Sequence, residues 1–205
     1  MRACCGPRAP PESQSGGRRL IGFWPLAAHL ATLAALFVRF VDPEAARAPR
    51  HLVASAADLA LVRRHHALFY LLLLAAPVEW WLHGRPAAAW QLAGAALAAA
   101  GVHGYRRAGR ALGDQLGPLV APVEPARLID RGWYGRIRHP MYLAELALAF
   151  GLPLVLAARW TLALSGLFLA AVVHRIEIEE RALAARCPEY AAYASRTSRL
   201  VPHVY

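Results

Sequence analysis

The sequence predicts an all-α fold: an integral membrane helical bundle of four to five transmembrane helices, including a C-terminal helical hairpin. Three observations predict it. Hydrophobic residues make up 58% of the chain against 18% charged, an apolar share above that of soluble domains. The charges avoid several apolar stretches, each roughly 17 to 22 residues long, which at about 1.5 Å per residue approach or reach the thickness of a hydrocarbon core. The 23 basic residues are all arginine and leave a net charge of +10. They flank the apolar stretches, as the positive-inside bias of membrane proteins requires, and so speak against a nucleic-acid partner.

The elements follow in chain order. Met1 to Gly17 is rich in Pro, Gly and Ser and reads as a disordered tail. A first apolar span, Leu20 to Val41, ends at Asp42-Pro43-Glu44. Residues 45–65 carry Arg47, Arg50, Arg63 and Arg64 and read as a loop with a short Ala-rich helix. A second span, His66 to Leu82, brings Trp80 and Trp81 to an interfacial end, followed by the turn His83-Gly84-Arg85-Pro86. The third span, Ala87 to Tyr105, is rich in Ala and Gly, which predicts close packing against its neighbours. Arg106 to Met141 is a polar, Pro- and Gly-punctuated loop with seven arginines. Two shorter apolar arms, Tyr142 to Ala158 and Trp160 to His174, are separated by Arg159 and read as a packed hairpin. Arg175 to Tyr205 is amphipathic.

This divides the chain into a tail (1–17), N-terminal transmembrane helices (18–105) and a C-terminal unit of loop, hairpin and terminal helix (106–205). Arginine is dense in the 106–141 loop and the C-terminal segment but sparse at the Trp80–Trp81 turn and the hairpin tip. The expected orientation is therefore multi-pass with a cytoplasmic C-terminus. The Ala and Arg bias is that of a GC-rich bacterial genome and places the protein in a bacterial cytoplasmic (inner) membrane. Cys4, Cys5 and Cys187 form neither a disulfide framework nor a metal-ligand pattern, so no metal is expected.

The densest chemical signal runs from Gly132 to Glu145. Pro140 suits the first position of a helix. Free N–H groups there, with Arg138 beside them, would make an anion site. Tyr142 and Glu145, three apart, share a helix face. The second signal is His174-Arg175-Ile176-Glu177-Ile178-Glu179-Glu180-Arg181, where three glutamates follow directly on an apolar arm. Acidic groups there either face a polar cavity or form local pairs such as Glu177 with Arg181. The third is Tyr190 and Tyr193 on one face, then Ser198-Arg199-Leu200-Val201-Pro202.

The order Leu-Ile-x-x-Gly-x-Tyr, Arg-His-Pro-x-Tyr, apolar hairpin, Glu-Glu, Tyr-x-x-Tyr and Leu-x-Pro resembles the isoprenylcysteine carboxyl methyltransferase and phospholipid methyltransferase superfamily. The resemblance covers roughly residues 110–202. It implies a membrane-embedded methyltransferase using S-adenosylmethionine, held on the cytosolic side by the loop, the hairpin and the C-terminal helix. Carried over residue by residue, the cofactor contacts would be Leu128, Ile129, Tyr134, His139, Pro140, Met141, Tyr142 and one of Glu179 and Glu180. Arg175 matches the family's arginine on the substrate side. Two departures stand out: Cys187-Pro188-Glu189-Tyr190 replaces the family's longer Phe-Gly-x-x-Tyr, and Ala144 replaces a glycine.

Methyl transfer from a sulfonium needs no metal or redox partner, and Tyr faces can stabilise the sulfonium charge. The chain also lacks a Gly-rich strand–helix turn of the dinucleotide-binding kind. The expected acceptor is lipophilic and enters from the bilayer: a prenylcysteine-like or isoprenoid carboxylate, a thiol, or a phospholipid amine. Two other readings stay open. Steroid 5-alpha-reductase-like membrane proteins, which use NADPH, share an Arg-His-Pro-x-Tyr-x-x-Glu pattern that Glu145 completes. A non-catalytic membrane component would retain the helices alone.

Overall fold

The computed structural model describes residues 24–34, 56–83, 89–117, 128–202 and 204–205. The expected tail (1–17), the turn after His83 and parts of the first span and of both polar loops lie outside these. The elements are α1 (residues 24–34), α2 (Ala56–His83), α3 (Trp90–Leu112), α4 (Pro140–Val155), α5 (Arg159–Arg186) and α6 (Tyr190–Ser195). Short 3-10 turns lie at Gly113–Gln115 and Gly132–Gly135. Among the described residues the only extended pairing is a parallel bridge between Ile137 and Ser198.

The expected hairpin is present as α4 and α5, and α3 packs along α4 while α2 packs on both. Three boundaries differ from the sequence reading, one being the end of the second hairpin arm, which runs on past His174 to Arg186 as part of α5. The second span begins ten residues earlier, because Arg63 and Arg64 fit on the exposed side of a continuous helix while His65 turns inward. The third runs on to Leu112, so the polar loop starts later than Arg106. Ala and Gly in α3 do what their size allows. A Cβ on Gly94 would stand 2.7 Å from the Val155 nitrogen, and one on Gly151 would stand 2.7 Å from the Ala98 nitrogen. The two backbones touch because these positions have no side chain.

Phe69, Leu72, Leu73, Leu146, Leu148, Leu152, Phe168 and Val172 form the core between α2, α4 and α5. Each helix proline frees a carbonyl four residues back, and a neighbouring helix answers it. The Leu73 carbonyl, released by Pro77, accepts from His29 Nε2 at 3.1 Å, and the Ala149 carbonyl, released by Pro153, accepts from Ser165 Oγ at 2.5 Å. Glu79 caps the start of α5 from outside: its carboxylate accepts the Trp160 and Thr161 N–H groups at 3.1 and 2.9 Å and the Thr161 hydroxyl at 3.0 Å. In lipid no water would satisfy these groups.

Two helices, α2 and α5, are long and apolar enough to cross a membrane, at 28 residues each. Only 33% of the apolar window of each is buried, whereas the core helix of a soluble protein would be mostly buried. Leu71, Leu74, Val78, Leu82, Leu167 and Trp160 face outward. At 16 residues α4 is shorter, about 24 Å, and α3, rich in Ala and Gly, falls below the same hydropathy.

Candidate functional site

The site forms where the start of α4 meets the end of α5. Pro140 occupies the first position of α4, as expected, and Tyr142 and His139 project from this start toward α5. The Tyr142 hydroxyl hydrogen-bonds Glu179 Oε1, and the His139 ring stacks on that of Tyr142 with centroids 5.6 Å apart. His139 Nε2 lies 3.4 Å from Glu180 Oε1, and its Nδ1 lies 3.9 Å from Glu179 Oε2. Thus Tyr142 and the glutamate pair, 37 and 38 residues apart, are brought together by the hairpin.

The two glutamates have different surroundings. Both oxygens of Glu180 are engaged: Arg138 Nε donates to Oε1 at 2.7 Å and Arg199 Nε to Oε2 at 2.9 Å. Arg138 also donates to the carbonyls of Ala194 (2.9 Å) and Thr197. Glu180 therefore ties the loop before α4, the end of α5 and the C-terminal segment into one knot. Glu179 Oε1 takes the Tyr142 hydroxyl and Arg175 Nε at 3.2 Å, while among the described residues its Oε2 has only the distant His139 contact.

Just before the helix, the backbone N–H groups of Arg138 and His139 donate to the carbonyls of Ser198 (2.8 Å) and Arg199 (3.0 Å). The Arg138 guanidinium is turned inward on Glu180. The C-terminal segment supplies these acceptors, and nothing in the local sequence around His139 announces it. Arg181 likewise donates to the Glu177 carbonyl, at 3.1 Å, and not to its carboxylate.

Arg175 is buried, bonded to Glu179, with its guanidinium 5.5 Å from the Tyr142 ring centroid. Tyr134 is buried in the 3-10 turn before the loop; its hydroxyl faces the Ala108 carbonyl at 3.5 Å and its own carbonyl accepts from Tyr193 at 2.8 Å. Leu128 packs against the cluster of Cys187, Tyr190 and Tyr193. Ile129 and Met141 are half-buried on either side of that loop. The Tyr190 hydroxyl is buried beside Glu180 without a hydrogen bond of proper geometry. Burial pushes the Tyr193 phenol up to about 12 and those of Tyr134 and Tyr190 higher still, so all three are neutral hydroxyls at physiological pH.

Residues 87–187, from just before α3 to just past the end of α5, match the phospholipid methyltransferase family. That family belongs to the membrane-embedded methyltransferase superfamily whose motifs the sequence resembles, and the resemblance holds over this segment. None of the curated proteins matches the chain. The methyltransferase segment contains Leu128 through Glu180, and so both glutamates, but not Tyr190 or Arg199. Sequence reasoning quoted Arg199 without giving it a role. Its signal was its position in the Ser-Arg-Leu-x-Pro ending, and its partner, 19 residues earlier, is set by how the terminus folds back. His65, whose Nε2 donates to Glu145 Oε2 at 2.9 Å, was missed altogether.

Proposed function

We propose that the protein transfers a methyl group from S-adenosylmethionine to a lipophilic acceptor that reaches the site from the bilayer. The observation that carries this reading is the meeting of Tyr142 and His139 with the Glu179–Glu180 pair inside a phospholipid methyltransferase segment. The donor set suits this cofactor. Within the Glu179–Glu180 pair, Glu179 Oε2 is the least engaged oxygen among the described residues and can take an ammonium or a ribose hydroxyl. The Tyr142 and His139 rings offer faces to a sulfonium, and the unbonded Tyr190 hydroxyl offers a donor. When bound, the cofactor supplies an electrophilic methyl carbon.

In this reading Glu180 holds the site together, Glu179 and the aromatic rings bind, and Arg175 orients the acceptor from its place over Tyr142. The membrane is that of a bacterium, with the site and the C-terminus on the cytoplasmic side. Leu128, Ile129, Pro140 and Met141 shape the loop wall. The reductase reading would need loop arginines for the extra phosphate of NADPH, but Arg138 is committed to Glu180 and to two carbonyls.

Equilibrium binding of labelled S-adenosylmethionine and of NADPH to the detergent-solubilised protein separates the two. Saturable S-adenosylmethionine binding with no NADPH binding is expected. The reverse, or binding of neither at millimolar concentration, would overturn the proposal.

A further inference from the structure

A second buried polar pair lies next to this site, between α2 and α4. His65 Nε2 and Glu145 Oε2 are 2.9 Å apart, joining residues 80 positions distant, and both side chains are buried. The His65 ring centroid is 5.8 Å from that of Tyr142, whose hydroxyl bonds Glu179. The pair is thus one aromatic ring away from the glutamates. Apolar residues of similar volume would join α2 to α4 at no desolvation cost, so packing alone does not call for an ionisable pair here.

A second observation points to a ligand. His65 Nδ1 is buried and has no hydrogen-bond partner. With Nε2–H donating to the Glu145 carboxylate, Nδ1 carries the lone pair, and it stands as an unused acceptor in an almost fully enclosed ring. Buried polar atoms without partners are uncommon, and one on a His backed by a carboxylate is the arrangement of a general base.

Resting on the methyltransferase reading, we propose that His65, backed by Glu145, accepts the proton that an amine-bearing lipid acceptor must lose before it is methylated. An ammonium nitrogen has no lone pair. When its proton passes to Nδ1, the N–H electrons stay on nitrogen. That pair forms the new N–CH3 bond while the S–CH3 bond breaks and its electrons return to sulfur. The Glu145 carboxylate stabilises the imidazolium, which then releases the proton to water. This places a catalytic role on α2, outside the segment shared with the family. The groups facing the pair are His66 on α2, Tyr142 on α4, and Arg175 and Glu179 on α5.

The test uses the full chain in detergent with phosphatidylethanolamine as acceptor. His65→Gln should bind S-adenosylmethionine as the wild type does. Its methylation rate should fall about 10²–10⁴-fold at pH 7 and recover as the pH rises and the amine deprotonates unaided. Glu145→Gln should show the same pattern with a smaller loss. Independently of turnover, infrared difference spectra of ring-labelled histidine protein should show imidazolium forming when the lipid binds, and His65→Gln should abolish that signal. A rate loss under threefold, a loss unchanged by pH, or no histidine protonation on lipid binding would overturn the proposal. So would S-adenosylmethionine binding with no binding or turnover of the aminolipid. Absence of S-adenosylmethionine binding to the wild type would instead overturn the methyltransferase reading on which the proposal rests.

Discussion

Glu179 and Glu180 are adjacent in sequence and hold different arginines. Glu180 neutralises Arg138 and Arg199, with side chains 11% and 32% exposed. Removing it takes the carboxylate away from two half-buried guanidinium groups, so Glu180→Ala should cost on the order of 3 kcal/mol of stability, read as a lowered thermal midpoint in detergent. Glu179→Ala should lower the midpoint as well, because it takes the carboxylate away from the buried Arg175 and the Tyr142 hydroxyl. In the proposed site it removes a charge-assisted contact, and S-adenosylmethionine affinity should fall about 10- to 100-fold, corresponding to roughly 1.5–3 kcal/mol. A Glu180→Ala protein as stable as wild type would show that the knot is not what holds the loop. The motif made both glutamates visible in the sequence. Their division of labour depends on Arg199, which arrives from the C-terminal fold-back.

At the scale of the element, the helices are held by matching each backbone defect to a side chain on a neighbour. Pro153 sits inside α4, where its missing N–H would leave the Ala149 carbonyl bare in an apolar interior, and Ser165 on α5 fills that gap at 2.5 Å. Ser165→Ala should therefore destabilise the hairpin by about 1–3 kcal/mol, the cost of an unsatisfied buried carbonyl, while Ser165→Thr should restore the bond if its methyl group is accommodated. Thermal unfolding in detergent measures both. The sequence displayed Pro77 and Pro153 plainly as helix irregularities. Which hydroxyl or imidazole answers each freed carbonyl depends on the register between helices, and the helical period alone does not set register across a bundle.

For the whole molecule, the 28 residues of α5 cover about 42 Å, enough to put the Trp160 end and the Glu180 end on opposite sides of a bilayer. Exposed Trp81 and Trp160 mark one rim, as interfacial aromatic residues do, and the arginine-rich loop and C-terminus mark the other. Single cysteines at Ala111 and Ser195, both exposed, should be labelled from one face in a background lacking Cys4, Cys5 and Cys187. A cysteine at Arg159 should be labelled from the other. Labelling of Ala111 and Ser195 from opposite faces would rule out this arrangement.

Composition and patterning by themselves determined that the chain is helical, where its apolar segments lie and that α4 and α5 form a hairpin, because burial in lipid is read directly from runs of apolar residues. The Arg-His-Pro-x-Tyr and Glu-Glu motifs likewise carried the resemblance to the methyltransferase superfamily, since each is compact in sequence. Only the tertiary structure decided that Arg138 faces inward, that the C-terminal segment closes the loop, and that His65 meets Glu145. These contacts join residues 42, 60 and 80 positions apart. Contacts of that range are fixed by how helices are set against one another, and a local pattern carries no information about that.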